Sequence, residues 1–100
     1  MDKEIINIIN ELNDGGYTTI ASCAGHMHQE DFEFYVMFEY TEELEEKITN
    51  LQYFDKIISK TGEIIQKDSI LLTYIKSGNF KKESELEKTQ ALLKRELRRL

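Results

Sequence analysis

The sequence predicts an α+β domain, an antiparallel sheet of about four strands with helices packed on it, in the order α-β-β-α-β-β-α. The first observation is that Ile5, Ile6, Ile8, Ile9 and Leu12 recur at helical spacing. The second is that Phe32, Phe34, Val36, Phe38 and Tyr40 alternate strictly with Glu33, Tyr35, Met37 and Glu39, the period of a half-buried strand. The third is a narrow helical seam of Leu86, Leu93, Leu97 and Leu100 at the far end of the chain. A chain of 100 residues with 40% hydrophobic content closes one core, so residues 1–100 are read as one domain.

The first helix is expected behind an Asp2 cap and ends at Gly15-Gly16, where a left-handed C-cap belongs. Tyr17 to Cys23 reads as a strand, with Tyr17, Thr19, Ala21 and Cys23 on one face and Thr18, Ile20 and Ser22 on the other. The alternating run from Phe32 to Tyr40 is a core strand. Thr41 then caps a helix with Glu42, Glu43, Glu45 and Glu46 in its first turns, Leu44, Ile48 and Leu51 inward, and an end near Tyr53-Phe54. Lys56 to Ile75 holds two or three strands, from Ile57-Ile58, Ile64-Ile65 and Ile70 to Ile75, with Thr61-Gly62 as a turn and Lys67-Asp68 as a polar break. After the linker Ser77-Gly78-Asn79, Asn79 is expected to cap a final helix over 79–100. Its leucines are read as packing on the sheet, and the alternative of a short coiled coil implies a dimer. Tyr35, Tyr40, Tyr53 and Tyr74 are read as core aromatics in preference to a stacking surface.

Composition narrows the function classes. The start Met1-Asp2-Lys3-Glu4 lacks the basic-then-apolar pattern of a secretory signal, and no apolar run is long enough to span a membrane. The lone cysteine suits a reducing compartment, so a cytoplasmic location is expected. A net charge of −6 argues against nonspecific nucleic-acid binding, which needs a basic surface. The charge is uneven: residues 1–78 carry 6 Lys/Arg against 15 Asp/Glu, and residues 79–100 carry 7 against 4. Arg95, Arg98 and Arg99 complement the dipole of their own helix, or form a basic arm that docks on an acidic neighbour.

Between the two clearest strands, Ser22-Cys23-Ala24-Gly25-His26-Met27-His28-Gln29-Glu30-Asp31 breaks the alternation with small and polar residues. Glycine at position 25 lets the backbone approach a ligand, and successive amides in such a turn form an anion-binding nest. Three chemistries compete. Cys23, His26 and His28, with Asp31 or Glu30, offer metal ligands in a C-x-x-H-x-H spacing. Cys23 with a histidine base offers a nucleophile. The preferred reading is noncovalent binding of a small anionic or nucleotide-like molecule by Thr19, Ser22, Cys23, Gly25, His26 and His28. A polar connection with a structural cysteine is the plain alternative. No P-loop, dinucleotide fingerprint or nucleophile elbow is present in the sequence, and no catalytic residue, metal or cofactor is assigned.

The run from Gly16 to His26 resembles a family of small proteins of bacteriophages and their Gram-positive hosts, with the shared pattern G-Y-x-T-x-x-S-C-x-G-H. A local likeness links the same run to the wybutosine-synthesising methyltransferase family, where arginine stands in place of His26. The first resemblance implies an accessory protein of a mobile element that counters host defence by stoichiometric capture, either of a nucleotide signal or of a CRISPR effector. One alternative is an acidic inhibitor of a host defence nuclease in the manner of an anti-CRISPR protein, with the glutamates from Glu42 to Glu46 imitating phosphates. The other is a Cys/His metal-dependent or RNA-modifying enzyme fragment. A homo-oligomer is expected, held by the leucines of 79–100 and by Lys94, Arg95, Arg98 and Arg99 against an acidic partner surface.

Overall fold

A computed structural model describes residues 3–25, 30–60 and 68–100 of the chain, and in them the expected elements follow in the expected order. Helix α1 spans Lys3–Asp14 and buries Ile5, Ile8, Ile9 and Leu12. Its end is a Schellman motif: the Tyr17 amide donates to Leu12 O at 3.1 Å and the Gly16 amide to Asn13 O at 3.1 Å. Gly16 supplies the left-handed residue this needs, at φ +97°. Tyr17 therefore belongs to the helix cap. Asp2, the expected N-cap, lies outside the described residues.

The sheet has the order β1-β2-β4-β3, with β1 at Thr19–Cys23, β2 at Phe32–Glu39, β3 at Asp55–Ser59 and β4 at Ser69–Lys76. All three pairings are antiparallel, so β2 and β3 run parallel with β4 between them. The alternation in β2 is obeyed: Phe32, Phe34, Val36 and Phe38 are wholly buried, and Val36 and Phe38 meet Leu72 and Ile70 across the β4 ladder. In β1 the alternation fails. Thr19 pairs with Phe38 and Ala21 with Met37, so two steps on β1 oppose one on β2, which makes a bulge at Ile20. The bulge moves Thr19 off the face of Ala21 and Cys23 and onto that of Ser22, which pairs with Val36.

Helix α2, Glu42–Ile48, starts where expected: the Thr41 hydroxyl accepts the Leu44 amide at 3.1 Å. It stops earlier than the sequence predicts. Residues 49–54 form an irregular link held by buried Leu51 and Phe54, and by the buried Glu96 carboxylate, which accepts the Gln52 amide at 2.8 Å. Tyr53, expected in the core, is instead 50% exposed, at φ +72°. Thr61, Gly62, Ile64, Ile65 and Lys67, read as a turn, a strand and part of a break, lie outside the described residues.

Helix α3 spans Glu83–Leu97, so Asn79 is not its cap; Lys82 occupies that position without a side-chain capping bond. Phe80 explains the delay. It is buried edge-on against Phe32, with ring centroids 4.9 Å apart, so the chain reaches the core before it can begin to wind. Leu86, Leu93 and Leu97 join α1, α2 and the phenylalanine face of β2 in one core, with Leu100 packed at its margin. The leucine seam is thus occupied within its own chain. The helices cover one face of the sheet. The other bears Ala21, Cys23, Tyr35, Met37, Leu71, Thr73 and Ile57 in cross-strand rows. No helix among the described residues is long and apolar enough to cross a membrane.

Candidate functional site

The bulge at Ile20 shapes the described part of the candidate site. It sets Thr19 and Ser22 on one face of the edge strand, and residues Thr19 to Ser22 line a shallow depression of about 300 Å3. The Asn13 side-chain oxygen, from the last turn of α1, accepts both the Thr19 amide and the Thr19 hydroxyl at 3.1 Å. Thr19 is therefore oriented by the helix before it. Cys23 faces away from this pair, beside Tyr35 on the face of the sheet opposite the helices.

Ala24 and Gly25 turn back into the core, and both are buried. Gly25 has φ +78°, and a Cβ there would lie 2.3 Å from the Phe32 ring. No other residue fits. Its amide donates to the Cys23 Sγ at 3.4 Å. From α3, the side-chain amide of buried Gln90 donates to Ala24 O at 3.0 Å and Gly25 O at 3.4 Å, supplying partners for carbonyls taken out of water. The turn thus begins from a backbone locked to the sheet and to α3. His26 and His28, the expected donors, lie outside the described residues.

The competing chemistries meet the same boundary. Among the described residues no group of three His, Cys, Asp or Glu side chains is placed to share a metal ion, and the C-x-x-H-x-H set depends on residues outside them. Asp31, a further candidate ligand, accepts the Gly78 amide at 2.9 Å and so ties the start of β2 to the chain leaving β4.

Two polar clusters stand away from the turn. Lys47 donates to the Tyr17 hydroxyl at 2.8 Å and pairs with Glu43 at 3.1 Å, beside a cleft of about 380 Å3 between α1, α2 and α3. The Tyr17 hydroxyl, then Glu43, holds the Lys47 ammonium above the usual lysine range. Arg98 pairs with Glu11 at 2.7 Å and Arg99 with Glu96 at 3.1 Å, so two of the four basic side chains expected to reach a partner bind their own chain. The second cluster joins Tyr40, Glu45 and Lys60. The Tyr40 hydroxyl donates to Glu45, and Lys60 lies 4.6 Å from the Tyr40 ring centroid. Glu45 raises the Tyr40 hydroxyl above its ordinary range, and Tyr40 in turn raises Lys60. Of the four glutamates read as a phosphate mimic, Glu43 and Glu45 are thus engaged by Lys47 and Tyr40.

Gln90 escapes a reading of the sequence because its partners lie 66 and 65 positions away, and Asn13 because only the folded turn at Gly16 brings Thr19, 6 positions on, beside it. A polar residue in a helix reads as solvent-facing unless its partner is known. No protein family, curated protein or solved structure matches the chain.

Proposed function

We propose that this protein is a non-catalytic binding domain that captures a small anionic or nucleotide-like molecule at the outer edge of β1 and the turn that follows it. The carrying observation is the bulge at Ile20, which turns Thr19 and Ser22 toward one depression at the foot of the turn. A rigid base suits such a site, because backbone that is held in place before binding loses little entropy when it binds. Gly25 against Phe32 and the Gln90 amide on two carbonyls supply that base. Ser22 offers a hydroxyl, the outer edge of β1 offers backbone amides, and His26 and His28 offer ring donors to a phosphate or a base edge. Capture without turnover suits the counter-defence role that the phage-type resemblance implies.

Isothermal titration of the full chain with cyclic nucleotides and ADP-ribose derivatives tests this reading. At least one member is expected to bind stoichiometrically, and the double change Ser22→Ala with His26→Ala to weaken it about tenfold or more, as loss of two charge-assisted or polar contacts implies. A flat response across the panel, or binding indifferent to both changes, overturns the proposal.

A further inference from the structure

We propose that the outer edge of β3, which no strand pairs among the described residues, is a self-association surface, on which a second copy of this chain pairs antiparallel about Ile57 and doubles the four-stranded sheet. An edge strand exposes a row of backbone amides and carbonyls, and monomeric proteins blunt such edges with short strands, bulges, prolines or charged side chains; β3 carries two charges, Asp55 and Lys56, both in its first half. β1 is blunted by its bulge. β3 keeps an unbroken register with β4 from Asp55 to Ser59, and its centre is apolar on both faces. Ile57 is 53% exposed beside Leu71, and Ile58 is 38% exposed on the face that carries the helices.

The charge pattern of the strand selects its own register. In a two-fold antiparallel pair the central residue meets its own copy, and flanking residues meet in mirrored order. Centring on Asp55 or on Lys56 sets like charges directly opposite, and centring on Ile58 sets Lys56 against Lys60. Centring on Ile57 sets Ile57 against itself, Asp55 against Ser59 and Lys56 against Ile58. No like charges then meet, a carboxylate faces a hydroxyl, and the lysine stem covers an isoleucine. The apolar row Ala21-Met37-Leu71-Ile57 would continue across the junction into its copy.

Tyr53 adds an independent sign. A bulky side chain in the left-handed region is strained, and strain of this kind gathers at functional surfaces. Here the residue is half exposed and stands two positions before the strand. The seam leucines Leu86, Leu93 and Leu97 of α3 are already buried inside their own domain, and Leu92 alone of its leucines is exposed. The β1 edge stays open in such an assembly, so capture of a ligand there and pairing at β3 are separate events.

Analytical ultracentrifugation of the full chain tests the pairing, alongside Ile57→Lys, Ile57→Glu and an equimolar mixture of the two. The wild type is expected to be a dimer that dissociates on dilution. Each variant alone is expected to be monomeric with an unchanged circular dichroism spectrum, because position 57 is exposed in the monomer. The mixture is expected to recover a heterodimer, since only this register sets position 57 against itself. Ser59→Lys, facing Asp55 of the other copy, is expected to tighten the dimer roughly twofold to fivefold. A wild type that stays monomeric at about 1 mM overturns the proposal. So do a dimeric single variant, a mixture of folded variants that fails to associate, and Ser59→Lys that weakens the pair.

Discussion

The two edges of the sheet are built oppositely. β1 is interrupted by a bulge, oriented by Asn13 at one end and locked at the other by Gly25 and Gln90. β3 is regular, apolar at its centre and entered through a strained tyrosine. A bulge disturbs the spacing of backbone donors and acceptors, so another strand cannot simply be added, while side chains are re-aimed toward a small ligand. A regular edge does the reverse. One sheet can therefore offer a small-molecule site at one margin and a protein-pairing site at the other without either competing for the core.

The contrast can be broken from the β1 side. Gly25→Ala forces a Cβ into the Phe32 ring and a non-glycine residue into the left-handed region, so it should cost about 3 kcal/mol of stability, read by urea denaturation. A loss below about 1 kcal/mol would mean that the turn yields easily and is not the rigid base described above. On the β3 side the opposite sign is expected. Tyr53→Gly relieves the left-handed strain and should stabilise the monomer by up to about 1 kcal/mol while weakening self-association. If the monomer is destabilised and association is unchanged, the tyrosine is there for packing alone.

The smallest effect concerns pH. Tyr40 and Lys60, which fasten the chain at the ends of β2 and β3, both titrate above their ordinary values in the folded protein. A raised value means the folded chain holds its proton longer than the unfolded chain. The stabilisation is complete below roughly pH 10 and is lost as pH rises through the folded values. The amides that secure β1, from Asn13 and Gln90, do not titrate. Alkaline titration followed by isoleucine methyl NMR should therefore perturb Ile57 and Ile58 as Tyr40 and Lys60 lose their protons, and signals that stay unchanged to about pH 12 would show that this pair does not fasten β3.

Much of the fold was legible because the signals are local. The helical spacing of Ile5 to Leu12, the Gly15-Gly16 stop, the strict alternation from Phe32 to Phe38 and the Thr41 cap each act within a few residues, and each appears in the structure. The start of α3 was not legible from Asn79, a good capping residue, because burial of Phe80 outweighed the cap. Among the candidate site residues, Thr19 and Ser22 read in the sequence as polar members of one strand on its opposite faces. Only the pairing with β2 reveals the bulge that unites them. Gln90 reads as a solvated helix residue until Ala24 and Gly25 lie beneath it, 66 and 65 positions away in the chain.

What the sequence by itself determined is therefore the list of elements, their order and the apolar face of each, since these follow from periodicity and from short-range capping chemistry. The tertiary structure alone decided which sheet edge is bulged and which is regular, which polar side chains are used inside the core, and where the backbone is strained. Those outcomes depend on strand neighbours and on burial, and neither is encoded at any single stretch of the chain.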